Sequence, residues 1–332
     1  MHTFKVSVVV PIRDEEKTIE VLLGCLNAQT RRPDEIVLVD GGSTDRTQRI
    51  ARDFIERVHH IRLISVGKAY PGEGRNVGIE RAEHGLIALT DAHGQCPPDW
   101  LEKLCEPIER DPTIGVVYGS LEPVTKTIFE QCAALAYVPA RLGSDKGNIR
   151  GPSVASMLIR KEVWAAVGGF PRYRASEDLI FMERVERGGF RTAYAPGARF
   201  YWQLAPGWRA TFRRFALYSY HNLVAGRGRY WHKGVMKYYL VALPFVALGV
   251  VNHYLWFSVP LAGFTARVGR TILPKRNEFG LKHPLHPLRW IGVALLLGLI
   301  DIATGVGALA WAWRRAICGV RRLRMGLYKV SQ

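Results

Sequence analysis

The second part of this chain is almost without acidic residues. Residues 187–332 hold two, Glu278 and Asp301, against 22 Lys and Arg, whereas residues 1–186 hold 27 acidic and 24 basic residues. The formal net charge of +17 therefore belongs to the second part, and the first is slightly acidic. A uniformly basic nucleic-acid binder is excluded, because it needs its basic face on the folded domain. The basic part instead asks for an anionic partner such as a lipid headgroup or a phosphorylated substrate. Cysteine is also scarce. Cys25, Cys96, Cys105, Cys132 and Cys318 are odd in number, scattered, and never spaced C-x-x-C. A zinc module or a disulfide framework is not supported, and reduced thiols in a reducing compartment are expected. The first residues, Met1 to Lys5, lack a signal-peptide pattern, and no repeat of 20–50 residues is visible. With 48% hydrophobic and 23% charged residues, the chain is not disordered. Its length allows two domains, or one domain with an appendage.

Two stretches lack charge almost entirely. Residues 238–266 contain no Asp, Glu, Lys or Arg, and residues 290–313 contain one, Asp301. About 20 apolar residues suffice to cross a bilayer, so both qualify. Tyr238, Tyr239, Trp290, Trp311 and Trp313 lie near their ends, where amphipathic rings favour the interface. Pro244, Asn252-His253 and Pro260 interrupt the first stretch, which reads as one tilted span or as a hairpin of two short helices. Six basic residues in 267–289 and six in 314–332 leave the orientation open.

The first 120 residues alternate strand and helix. Lys5–Pro11, Glu35–Asp40, 61–66 and Leu86–Asp91 are short apolar runs rich in β-branched residues, the mark of buried parallel strands. Between them, 15–29, 43–57 and 74–84 carry helical spacing or helix-start signals. A helix over 98–110 and a strand over 114–119 follow. This order predicts a doubly wound α/β sheet. Residues 122–150 are less regular and read as an insertion near the site. Val154–Ile159 returns as a strand, 176–188 as a helix and 190–195 as a short strand. Over 207–224, Trp208, Phe212, Phe215 and Ser219 form one helical stripe with Arg209, Arg213 and Arg214 interleaved, which predicts a helix lying on a membrane surface.

In such a sheet, ligands bind beyond the carboxyl ends of the strands. Three polar clusters fall there. They are Pro11-Ile12-Arg13-Asp14-Glu15, then Asp40 with Gly41-Gly42-Ser43-Thr44-Asp45, and Asp91-Ala92-His93. If Asp91 and His93 lie on an extended segment, they project the same way. A carboxylate and an imidazole could then share one Mg²⁺ or Mn²⁺ held mainly by a substrate's phosphates.

The segments VSVVVPIRDEEKTIEVLLGCLNAQT, EIVLVDGGSTDRT, GEGRNVGIERA and LIALTDAH together resemble the family 2 glycosyltransferases of the GT-A fold. The later stretch from GPSVASMLIRKEVWAAVGGF to SEDLIFMERVERGGFRTAYAP fits the same family in order and spacing, so the resemblance covers about residues 4–200. It implies a GT-A-type doubly wound, Rossmann-like nucleotide-sugar-binding domain, followed by interfacial and transmembrane helices. It also implies a nucleotide-diphosphate sugar donor and inversion at the anomeric carbon. By resemblance, Asp40 contacts the donor base, and Pro11, Arg13 and Glu15 line the nucleoside pocket. Arg75 and Asn76 lie beside the nucleotide. Asp91 and His93 stand where the family has D-x-D and would hold the metal. His93 departs from the commonest form of that motif, which bears on which metal is preferred. Asp178 would be the general base, with Glu177 its neighbour or an acceptor contact. Past residue 200 the match thins. The run Gly226-Arg227-Gly228-Arg229-Tyr230-Trp231 resembles the Arg/Gly-rich segment of membrane-associated members, from which Arg229 or Arg227 could reach the diphosphate. The Q-x-x-R-W of processive synthases is lacking, which favours transfer of single sugars.

The expected organisation is a catalytic domain over 1–200, an interfacial helix and Arg/Gly-rich segment over 201–234, a membrane region over 235–313 with two or three spans, and a basic tail over 314–332. The expected partners are a nucleotide-sugar donor, a lipid-linked or saccharide acceptor and anionic lipids, at the cytoplasmic face of an inner membrane. A scaffold with a degenerate transferase domain is the alternative. A nucleotidyltransferase fits less well, because residues 8–20 lack a Gly-rich loop with a catalytic Lys.

Overall fold

The computed structural model describes residues 4–140, 153–279 and 286–328, with side chains to residue 317. Part of the expected insertion at 122–150 and most of the basic tail's side chains lie outside the described residues. The chain divides into two units, Met1–Val124 with Pro139–Gln203, and Thr125–Val138 with Leu204–Gln332.

The first unit is built on one sheet. Its strands are β1 (Val6–Ile12), β2 (Glu35–Asp40), β3 (Ile61–Ser65), β4 (Leu86–Thr90), β5 (Gly94–Gln95), β6 (Val116–Pro123), β7 (Ser156–Arg160) and β8 (Thr192–Trp202). Their order is β3-β2-β1-β4-β7-β6-β8-β5. The helices are α1 (Ile19–Asn27), α2 (Thr47–Ile55), α3 (Pro71–Arg81), α4 (Trp100–Arg110), α6 (Lys161–Ala166) and α7 (Glu177–Arg187). Helix α5 (Ile128–Tyr137) lies between β6 and β7 in the chain and belongs to the second unit.

Alternation along β1 explains the double winding. Val6, Val8, Val10 and Ile12 enter one core with Leu22 and Leu26 of α1 and Trp100 and Leu104 of α4. Val9 enters the opposite core with Val37, Val39, Ile79 of α3 and Phe181 of α7. Successive side chains of a strand point to opposite faces, so a strand covered on both faces reads as an unbroken apolar run. Helix α3 can approach β1 closely because Gly78 faces it. A Cβ there would lie 2.3 Å from Val9 Cγ1.

The sheet is mixed rather than parallel throughout. Strands β1 to β4 are parallel, but β7 runs antiparallel to β4, from Leu86↔Arg160 to Thr90↔Ser156. The start of β7 therefore sits at the same edge as the end of β4. Strand β8 is longer than the expected 190–195. Its pairing with β6 shifts register between Gly119 and Ser120, which ejects Pro196–Ala198 and lets the ladder resume at Arg199. Such a bulge hides a continuing strand behind a Pro-Gly pair. Two helices escaped the sequence reading. The short α6 follows β7 without a break. Helix α5 begins with a capping box, in which Thr127 and Glu130 satisfy each other's backbone N–H groups, so its T-x-x-E signal was available.

The second unit adds α8 (Trp208–Val224), α9 (Gly228–Val251), α10 (Ser258–Ile272) and α11 (Pro287–Tyr328) to α5. The stretch 238–266 is a hairpin, turning through Asn252-His253 and a 3₁₀ segment, Tyr254–Phe257, between α9 and α10. Part of the α8 stripe faces protein: Phe215 and Ser219 are buried, while Trp208 is exposed. Phe215 packs with Ile300 and Ala303 of α11, and Ser219 Oγ donates to the Thr304 carbonyl at 2.7 Å. Gly307 makes room, since a Cβ there would lie 2.2 Å from the Ala216 carbonyl oxygen. Arg209 and Arg213 stay exposed. A stripe pattern alone cannot say whether lipid or another helix covers it. Asp301, the charge inside the second apolar stretch, is buried and takes both arms of Arg267 at 2.5 and 2.8 Å and the Tyr239 hydroxyl at 3.0 Å. Two helical stretches, Gly228–Val251 and Pro287–Ile317, are long and apolar enough to cross a membrane.

Candidate active site

The carboxyl ends of β1, β2 and β4 gather the expected polar clusters in the first unit. The loops after β1 and β2 are laced together. Asp14, in the left-handed region at φ 54°, accepts from the Thr44 N–H at 2.8 Å, and its own N–H donates to Ser43 Oγ at 2.9 Å. Glu15 N–H donates to Thr47 Oγ1 at 2.7 Å, and Glu16 N–H to Asp45 Oδ2 at 3.1 Å. Asp40 is 1% exposed. Its carboxylate accepts from the N–H groups of Gly42 and Ser43, from Ser43 Oγ at 2.5 Å and from Gln48 Nε2 at 2.7 Å. It is spent on shaping its own loop, so a direct contact from Asp40 to a base would need that shell to break. Pro11 is half-buried, with its Cβ 3.2 Å from the point where Gly74 would carry a side chain. Arg13 is exposed beside Asp14 at 3.8 Å.

The centre is a charge triad. Arg75, on α3, is 4% exposed. It donates to Asp91 Oδ1 at 2.6 Å and to Glu177 Oε1 at 3.4 Å, with its guanidinium over the Phe170 ring at 5.5 Å. Phe170 in turn stacks on Phe181 at 4.0 Å. Among the described residues, Arg75 Nε is buried with no partner. One arginine thus joins the end of β4 to the first turn of α7. Ser176, the residue before that turn, is held at φ 67°. Left-handed backbone at a non-glycine residue is a cost that folds tend to tolerate at functional sites.

Asp91 and His93 do not lie on an extended segment. After β4 the chain turns, because Gly94 must pair with Trp202 of β8, and a Cβ at Gly94 would lie 2.2 Å from Phe200. The two still share one electrostatic environment. Burial would raise the Asp91 carboxyl, but Arg75 and His93 outweigh it and hold it below its ordinary range. Glu177 and Asp178 move the other way. Burial and the Asp178 charge push Glu177 up against the pull of Arg75. Burial pushes Asp178 up, and the Leu179 N–H and Arg75 only partly oppose it. Burial also raises Glu15, against Thr18 and His93. One carboxylate held ionised beside another that takes a proton readily divides electrostatic work from proton transfer.

Asn76 serves the same frame. Its amide Nδ2 donates to the Phe170 carbonyl at 2.8 Å, while its Oδ1 accepts from Phe170 N–H at 2.8 Å and Trp164 Nε1 at 3.0 Å. It pins the segment that leads into α7. Sequence reasoning missed Phe170 and Trp164, which no local signal marks. Arg229 lies in the second unit, exposed, over the Tyr230 ring at 5.2 Å.

Residues 7–167 match the family described as Glycosyl transferase family 2. The chain carries a family 2 glycosyl transferase domain. Glycosyltransferase AglE of Haloferax volcanii is 27% identical over 199 residues, covering 57% of this chain and 64% of that one. Succinoglycan biosynthesis protein ExoA of Rhizobium meliloti is 27% identical over 195 residues, 55% of this chain and 58% of that one. The matched part thus spans less than two thirds of either relative. A mannosyltransferase of Pyrobaculum calidifontis, solved with GDP-Man and Mn²⁺, has a similar fold, with a TM-score of 0.54 at 19% identity over 95% of this chain and 88% of that one. The expected α/β class, a Rossmann-like GT-A domain followed by helices, is the one found. Within the matched residues, Arg75 and Asp91 fall together where the parallel strands end, and Glu177 and Asp178, just beyond the match, join them. Among the described residues, no three His, Cys, Asp or Glu side chains are gathered as a complete metal cage.

Proposed function

We propose that this chain is an inverting glycosyltransferase that moves a sugar from a nucleotide-diphosphate donor to a membrane-associated acceptor, such as a lipid-linked saccharide. The observation that carries the reading is Arg75 bridging Asp91 and Glu177, with the raised Asp178 next to them, at the ligand-binding edge of a family 2 domain. Asp178 takes the proton of the acceptor hydroxyl as its oxygen bonds to the anomeric carbon. The bond from that carbon to the diphosphate breaks on the opposite face, and its electron pair leaves with the nucleotide. Glu177 positions the acceptor. The ordered loops after β1 and β2, with Pro11, Arg13, Glu15 and Asp40, receive the nucleoside, Asp40 acting through the loop it shapes. Arg75 and Asn76 set the frame.

A divalent cation fits this site as a guest of the substrate. Arg75 takes one oxygen of Asp91, leaving the other and His93 as protein ligands, and two donors leave room for phosphate oxygens. A bound Mg²⁺ or Mn²⁺ would neutralise charge on the departing diphosphate. The basic second unit and its exposed apolar helices support a seat on an anionic membrane, where each Lys or Arg near the surface contributes about 1 kcal/mol. An inner membrane, with the site on its cytoplasmic face, suits the reduced cysteines. Transfer of single sugars into a polysaccharide or glycoconjugate fits the short membrane segment.

A thermal-shift screen of UDP-, GDP- and dTDP-sugars with Mg²⁺ or Mn²⁺ tests the reading. A donor at about 100 times its Kd should stabilise the fold by about 2.7 kcal/mol, and Asp91→Ala should lose the metal-dependent part of that shift. No shift with any donor in either metal would refute the donor class. The pH profile gives a second test. Asp178 must be ionised to accept a proton and its pKa is raised, so activity should climb with pH through a value above the ordinary aspartate range. An acid limb at or below about 3.9, the ordinary value, would remove Asp178 from the base role.

A further inference from the structure

We propose that the α9–α10 hairpin enters one leaflet of an anionic bilayer and returns on the side from which it came, so that neither helix crosses the membrane. This inference stands on the second unit and is independent of the transfer chemistry.

Length argues first. Helix α9 has 24 residues, but Arg229, Lys233 and Lys237 occupy its first half, all exposed. From Lys237 to Val251 the helix advances only ~21 Å at 1.5 Å per residue. On the return, the 3₁₀ segment Tyr254–Phe257 and the nine residues from Ser258 to Ala266 also rise ~21 Å. The hydrocarbon core is ~30 Å thick, so both legs fall short by a similar amount. The legs are also fastened to each other in this geometry. Tyr238 Oη donates to the Pro260 carbonyl at 2.9 Å, and Phe257 packs where Gly249 lacks a side chain.

Charge argues next. Between Tyr238 and Ala266 there is no charged residue, while Lys237 on one leg and Arg270 and Arg276 on the other lie at the open end of the hairpin, beyond Arg267, whose charge is met by Asp301. A spanning hairpin would place its turn in the opposite aqueous phase. The turn region does not suit water. Val250, Val251, Tyr254 and Leu255 are 74%, 86%, 69% and 61% exposed, and from Tyr238 to Val251 of α9 only the small residues Ala242 and Gly249 are buried. Four backbone donors of the turn meanwhile find internal partners. Asn252 and His253 N–H donate to the Leu248 carbonyl, Trp256 N–H to the His253 carbonyl, and Leu255 N–H to His253 Nδ1. Internal satisfaction of backbone donors is what hydrocarbon demands and water does not. Basic roots beneath an apolar tip match anionic headgroups above acyl chains.

The test uses the full chain in sealed vesicles of phosphatidylglycerol and phosphatidylethanolamine, with Cys25→Ser and Cys318→Ser, so that the native thiols left, Cys96, Cys105 and Cys132, are buried. Single cysteines are introduced as Arg229→Cys, Asn252→Cys and Arg276→Cys. A membrane-impermeant maleimide is admitted to both sides by freeze–thaw. The expected result is full tagging at 229 and 276, and tagging at 252 only after detergent is added. Tagging at 252 in intact vesicles, at the rate of the other two, would overturn the proposal. It would mean that the tip has crossed to water or never entered lipid. A thiol at 252 still unreactive in detergent would overturn it too, because protein and not lipid would then be the shield.

Discussion

Asp178→Asn is expected to lower kcat by about 10²–10⁴-fold, the usual worth of a positioned general base, with donor affinity unchanged. Its effect on stability should have the opposite sign. The folded state raises the Asp178 pKa, so it binds that proton more tightly than the unfolded chain does. The ionised carboxylate therefore costs stability as pH rises through the raised value, and the whole cost is present above it. An amide removes it, so Tm should rise, by about 2–4 °C for each kcal/mol released in a domain of this size. Steady-state kinetics, donor titration and a melting curve on one preparation suffice. Unchanged turnover would sink the assignment, and a fall in Tm would show that the side chain serves the fold.

Arg75→Met should act in the reverse sense on stability. It keeps much of the volume over Phe170 but leaves Asp91 and Glu177 without their shared cation. Removing one partner of a buried ion pair costs about 3–5 kcal/mol. The melting temperature at neutral pH should fall accordingly and recover in part on acidification, as the orphaned carboxylates take up protons. The sign follows from Asp91. Its pKa is depressed while Arg75 is present, so the wild-type pair loses its benefit as pH falls through that depressed value. The variant has no such benefit to lose. Activity should fall even where the variant is folded, because the first turn of α7 is then no longer tied to β4. A Tm within 1 °C of wild type would show that the bridge is not structural; about 1 kcal/mol moves a domain of this size by ~2–4 °C.

Some of this site was legible before any coordinates, and for definite reasons. Asp91 stands in a local pattern, a strand end, that the chain displays over a few residues, whereas Asp178 was singled out by the family resemblance. Asp40 was found by the same signal, but its role was not. An aspartate ending a buried strand can face a ligand or cap its own loop, and only the positions of Gly42, Ser43 and Gln48 choose between these. Arg75 was read as a neighbour of the nucleotide. Its partners Asp91 and Glu177 lie 16 and 102 residues away in the chain, so no local pattern reveals that it links the two. The service of Asn76 to Phe170, 94 residues distant, was hidden for the same reason.

The sequence by itself determined the alternation of buried strands and helices, the strand ends where chemistry would fall, and the segregation of charge between two parts of the chain. These are local properties, set by side-chain periodicity and composition. Only the tertiary structure decided the reversal of β7, the bulge that prolongs β8, the turn between Asp91 and His93, and the burial of part of the α8 stripe against α11. Each depends on which distant backbone offers hydrogen bonds or packing, and an apolar face carries no mark of what will cover it. The hairpin shows both levels at once. Its lack of charge was plain from residues 238–266, but its depth became measurable only when Tyr238 was found fastened to Pro260.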